Sequence, residues 1–141
     1  MKKFEFTLNS LLRIKNSLER QAKQKMAEAV SRRDKCQEEI EEIERRKELA
    51  RTNNKSFTVH EYLMFSRYYS DLERMRKSKT CELEAIEKEI EEIRQELVTI
   101  MQERKVLEKL REKQYEEYLV ELGKEQDKLV DDMMTYKITI A

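Results

Sequence analysis

In 141 residues the chain has no proline and a single glycine, Gly123. These are the two residues that most often break a helix, proline because it lacks the N–H and clashes with the preceding turn, glycine because ordering its backbone loses the most entropy. With almost nothing to interrupt it, the backbone runs by default into long helices. Because 43% of the side chains are charged, little apolar material is left to close a compact core around such helices. Long helices with little core become stable when they pair through a narrow apolar seam. The fold therefore turns on which residues make the seam and which helix faces it.

Between Leu8 and Ala50 the less polar residues recur at steps of three and four: Leu8, Leu11, Lys15, Leu18, Ala22, Met26, Ala29, Arg33, Cys36, Ile40, Ile43, Lys47 and Ala50. The pattern stops in RTNNKSF, residues 51–57, where asparagine and serine favour a turn. A new helix starts at once. Thr58 followed by Glu61 is a capping box, and Phe57 with Tyr62 can form a hydrophobic staple across it. The second seam reads Phe65, Tyr69, Leu72, Arg76, Lys79, Leu83, Ile86, Ile90, Ile93, Leu97, Ile100, Arg104 and Leu107.

If the chain doubles back at the turn, paired residues have numbers that add to a constant. Ala50 with Phe65, Ile43 with Leu72, Ala29 with Ile86, Ala22 with Ile93, Leu18 with Leu97 and Leu8 with Leu107 all add to 115. Charge agrees with this register. Residues 12–33 carry seven basic and two acidic side chains, while the facing residues 82–103 carry two basic and eight acidic ones. Each exposed pair contributes only about 0.2–1 kcal/mol, so the seam supplies stability and the charges choose orientation. A parallel homodimer would instead lay the acidic stretches against each other. The predicted fold is all-α: a long antiparallel two-helix coiled-coil hairpin, with the second helix overhanging at its C-terminal end. It forms a single coiled-coil domain over 1–141, with a helix over about 8–52, a turn at 53–58 and a helix over about 59–135.

On this register Cys36 faces Lys79 and Cys81 points away from the seam, so a disulfide between them is not expected. The first helix pairs as far as Leu8 opposite Leu107, and the second then continues for roughly 30 residues, or about 45 Å. That overhang still presents Leu110, Tyr115, Tyr118, Leu122, Leu129, Met133 and Tyr136 at helical spacing, a stripe that no other part of the chain is expected to cover. An uncovered stripe of this length marks a surface for another protein, with a second copy as the alternative. Gly123 permits a bend there, and the final TYKITIA, rich in β-branched residues, is expected to be loose.

Several functions are disfavoured. A net charge of zero argues against binding nucleic acid through its phosphates. No apolar run reaches the roughly 18–20 residues that cross a bilayer, and the first residues do not read as a secretory leader, which places the protein in the cytoplasm without membrane insertion. One glycine cannot build a phosphate loop, and His60, the single histidine, sits at a helix cap with no nucleophile held beside it. The expected chain is not an enzyme and needs no cofactor or metal; its carboxylate runs, such as EEIEEIE, are solvated helix faces. The turn end carries half of the ten aromatic residues within thirteen positions: Phe57, Tyr62, Phe65, Tyr68 and Tyr69. Phe65 and Tyr69 belong to the seam, but Tyr62 and Tyr68 cannot both face it, which makes this end a second contact surface.

Two stretches carry a resemblance. KKFEFTLNSLLRIKNSLE, an aromatic-rich start leading into a helix with a double leucine, resembles the opening of the FliJ family of flagellar export proteins. VLEKLREKQYEEYLVELGKEQDKLVDD resembles that family's C-terminal pattern, with leucine and basic residues before a tyrosine-rich helix and a late acidic stretch. The resemblance spans nearly the whole chain. It implies a cytoplasmic stalk of the flagellar type III export apparatus, peripheral at the cytoplasmic face of the membrane, similar in shape to the central stalk of rotary ATPases. Such a protein inserts into the hexameric ring of the export ATPase and links it to the membrane export gate protein, and some members also handle export chaperones. By position in the helices it implies an ATPase-ring surface at Leu8, Leu11, Leu12, Tyr115 and Tyr118, and an export-gate surface at Phe65, Tyr68, Leu72 and Met75. The competing readings are a self-assembling structural coiled coil and an export chaperone that grips unfolded clients through the overhang.

Overall fold

The computed structural model describes residues 2–53 and 58–140. They contain two helices, α1 (Asn9–Thr52) and α2 (Val59–Ile140), and no strand occurs among the described residues. The two helices pack against each other as an antiparallel hairpin. Contacts gather the chain into two units, one of residues 21–97 and one of residues 2–20 with 98–140.

In the unit of residues 21–97 the core is a cluster of Ala29, Cys36, Ile86, Ile90 and Ile93, flanked by Met26, Val30, Ile40 and Leu83. Ala29 and Ile86 fall together as the register requires, and the Cys36 thiol donates to the Lys79 carbonyl at 3.4 Å. Small alanines on α1 facing isoleucines on α2 let the two backbones approach closely, and the longer side chains fill the space between. Ion pairs clamp both flanks: Arg32 with both carboxylate oxygens of Glu89 at 2.8 and 3.1 Å, Lys79 with Glu39 at 2.5 Å, Arg76 with Glu44 at 2.5 Å, and Lys47 with Glu73. The numbers of these charged partners add to between 118 and 121, above the backbone value of 115. Side chains lean toward the N-terminus of their own helix, and in an antiparallel pair both leans shift the contact toward higher sums.

The first turn of α2 has the capping box: the Glu61 N–H donates to the Thr58 hydroxyl at 3.2 Å, and the Thr58 N–H donates to the Glu61 carboxylate at 3.3 Å. The proposed staple cannot be placed, because Phe57 lies outside the described residues.

In the unit of residues 2–20 and 98–140 the seam differs from the expected one. Leu8, Leu11 and Leu18 are exposed, and Leu12 and Glu19 are buried in their place. Placing Leu18 before Ala22 and Met26 requires two successive steps of four, which rotate the stripe off the partner. The positions 12, 15, 19 and 22 keep the alternation of three and four unbroken. Taking Glu19 into the seam is tolerable because Arg104 meets its carboxylate at 2.6 Å and also meets Glu108 at 2.8 Å. A charge can be buried when an opposite charge comes with it. Lys15 pairs with Glu103 beside them.

The overhanging stripe is also partly covered, contrary to expectation. Residues 2–8 are not helical; they run along α2 as a strap. Phe6 is buried with Leu12 and Leu107, with Phe4 and Leu110 packed around them. Leu107, expected to face Leu8, therefore packs against Phe6 and Leu12. From Lys124 to Ile140 every residue of α2 is exposed, and the helix continues to Ile140 where looseness was expected. The β-branched residues there each cost only a few tenths of a kcal/mol, too little to end a helix already propagating. Gly123 sits inside α2 without a positive φ, and a Cβ there would meet open space.

Candidate functional site

Each unit has one narrow seam, so most of its described side chains stand on outer faces. Among the described residues no three His, Cys, Asp or Glu side chains are grouped to hold a metal ion, and no helix is long and apolar enough to cross a membrane. His60 is exposed in the first turn of α2.

The first surface lies in the unit of residues 2–20 and 98–140. Tyr115 and Tyr118 are three residues apart and share one face of α2, their rings stacked with centroids 6.2 Å apart. Phe4 of the strap meets Tyr115 edge-on at 5.2 Å and Tyr118 at 5.6 Å, and the Tyr118 hydroxyl donates to the Lys2 carbonyl at 3.0 Å. Of the five residues expected here, Leu8, Leu11 and Tyr115 are exposed, Tyr118 is half-buried, and Leu12 lies in the core, 5% exposed. Leu12 thus holds the surface from beneath. The strap was missed by reading for helical periodicity, since two phenylalanines two residues apart fit no helical stripe. The available signal was Phe-Glu-Phe placed just ahead of a helix start.

Beyond the tyrosines the open stripe continues through Leu122, Leu129, Met133, Tyr136 and Ile140, which fall within an arc of about 60° on α2. All but the half-buried Leu122 are exposed.

The second surface is on the unit of residues 21–97, and here burial divides the four expected residues. Leu72 is 2% exposed and Phe65 half-buried, both on the seam face, while Tyr68 and Met75 are exposed. Met64, which sequence reading passed over, is exposed and lies within about 40° of Tyr68 and Met75, completing an outward stripe. Its spacing of four from Tyr68 was the signal. Beneath the stripe, the Phe65 and Tyr69 rings lie 5.7 Å apart, and the Lys47 ammonium sits 5.1 Å over Tyr69 while pairing with Glu73.

The clamps titrate accordingly. Hydrogen bonds from Lys47, Lys79 and Arg32 hold the Glu73, Glu39 and Glu89 carboxyls below their usual range, and Lys47 and Lys79 are raised by the same partners. A lowered carboxylate contributes stability above its unfolded pKa and loses it as pH falls through the folded one. Glu73→Gln mimics the protonated acid. Its melting temperature should lie below that of the unaltered chain at neutral pH, and the difference should close as pH drops through and below the ordinary glutamate range. A gap that persists at acid pH would show that the Lys47 contact is not what the carboxylate supplies.

A family model, that of the flagellar FliJ protein, matches residues 4–138. No curated protein and no solved structure matches the chain.

Proposed function

Since the chain belongs to the FliJ family of flagellar export proteins, its role lies in flagellar protein export, and we propose that it acts there as a non-enzymatic stalk. In this reading it sits in the cytoplasm against the membrane-embedded export apparatus. The surface around Leu8, Leu11, Tyr115 and Tyr118, supported by Leu12, takes the ring of the export ATPase. The outward stripe of Tyr68 and Met75, seated on Phe65 and Leu72, takes the export gate, and export chaperones are further partners.

The observation that carries this reading is the apolar stripe of α2 from Tyr115 to Ile140, which outlasts its pairing with α1 and has coiled-coil spacing with no other helix among the described residues against it. Apolar helix faces at this spacing are made to lie in a groove or against another helix. Exposed aromatics are the residues best suited to anchor such a contact.

Replacing Tyr115 and Tyr118 together by alanine should weaken capture of the purified export ATPase about tenfold or more, with helicity by circular dichroism unchanged. Unaltered capture would remove the ATPase from this surface. The competing readings give different results in the same preparation. A self-assembling coiled coil grows in light scattering as its concentration rises, and a chaperone holds many unfolded clients and ignores the ATPase.

A further inference from the structure

Tyr115 and Tyr118, the anchors of the ring surface, are not fully free. The strap lies across them, and its two halves are held very differently. The inner half is fixed: Phe6 is buried against Leu12 and Leu107, and its carbonyl accepts the Asn9 N–H at 3.1 Å at the start of α1. The outer half, residues 2–5, has the Phe4 ring on the two tyrosines and against the edge of that cluster, with an exposed hydrogen bond from Tyr118 to the Lys2 carbonyl. Two open grooves border Phe4, one lined by Glu108, Arg111, Glu112 and Tyr115, the other by Glu5, Phe6, Asn9 and Arg111. Lys2, Lys3 and Glu5 are exposed.

Ordering several backbone residues loses entropy comparable to what one partly covered ring and one solvated hydrogen bond return. The outer half therefore sits near balance between closed and open, while Phe6 keeps its root in place. Segments of this kind open locally without unfolding the rest.

We propose that residues 2–5 form a displaceable cover over Tyr115 and Tyr118, which competes with the ATPase ring for the same two rings and so sets how readily the chain is captured. This rests on the ring reading above. A ligand that binds only the open form has its apparent affinity reduced by the fraction of chains that are open. Edge-on and tilted contacts are favourable geometries for aromatic pairs, so Phe4 occupies the tyrosines as a partner's aromatic side chain would.

The test uses the full chain with three changes: Phe4→Ala, Phe4→Leu as a version that keeps apolar cover, and the tyrosine pair replaced by alanine. Affinity for the purified export ATPase is measured alongside fluorine NMR of protein labelled with 3-fluorotyrosine. Phe4→Ala should move the Tyr115 and Tyr118 resonances toward those of solvent-exposed tyrosine and tighten ATPase binding by up to about tenfold. Phe4→Leu should fall between it and the unaltered chain. If Phe4→Ala leaves binding unchanged or weakens it while the tyrosine pair still matters, the strap is no cover and the ring surface stands. If loss of the tyrosine pair has no effect on binding, the ring surface itself is wrong and the competition falls with it.

Discussion

Ile90→Asp should abolish the cooperative melting of the hairpin. Ile90 is 4% exposed in the cluster with Ala29, Cys36, Ile86 and Ile93. Removing its branched side chain from that cluster costs about 2–5 kcal/mol by analogy with large-to-small core changes. The carboxylate adds several kcal/mol more, because at this position it would be dehydrated among apolar side chains with no base brought in to meet it. A single domain of this size has only about 5–15 kcal/mol in total. Thermal unfolding followed by circular dichroism should therefore show a shallow, nearly linear loss of helix, the behaviour of helices without a tertiary partner. Ile90→Val, which keeps the shape, should cost about 0.5–1.5 kcal/mol and retain the transition. A sharp melt in the aspartate variant would mean that the helices are not held by this seam.

Leu11 and Leu12 offer a second large contrast between adjacent residues of the same type. Leu12 is 5% exposed and packs with Phe6 and Leu107; Leu11 is 39% exposed. Leu12→Ala should destabilise by about 2–5 kcal/mol, and Leu11→Ala by no more than about 0.5–1 kcal/mol, measured by denaturant unfolding. Equal effects would restore Leu11 to the seam and displace Glu19 from it. The comparison also bears on the proposed ring surface, since Leu11 can then be altered for binding studies in a chain that remains folded.

How much of this was legible depends on the range of the interaction that decides each feature. The antiparallel register could be read because it repeats: Ala29 against Ile86 and Cys36 against Lys79 are two instances of one rule, and the opposite charges of the facing stretches select the same alignment. The start of the α1 seam could not be read from hydropathy, which ranks Leu18 above Glu19. What reverses that order is Arg104, far along the chain, whose guanidinium makes the glutamate tolerable inside. The strap was hidden for a related reason. Phe4 and Phe6 have no periodic neighbours of their own, and their meaning comes from Tyr115, Tyr118 and Leu107 on the other helix. At the second surface Tyr68 lies only about 40° from Leu72 on α2 and Met75 about 60° from it, so periodicity puts the four on neighbouring lines and burial in the narrow seam divides them. Met64 was legible, since it stands four residues before Tyr68.

The two cysteines lead to a practical end. Burial pushes the Cys36 thiol above its ordinary pKa, and its hydrogen already points at the Lys79 carbonyl, so little of the nucleophilic thiolate forms and no reagent reaches it. Cys81 stands exposed on α2. A thiol-directed dye added to the native chain meets one exposed thiol at a known place, and a fluorophore can be attached there without altering a residue of either proposed surface.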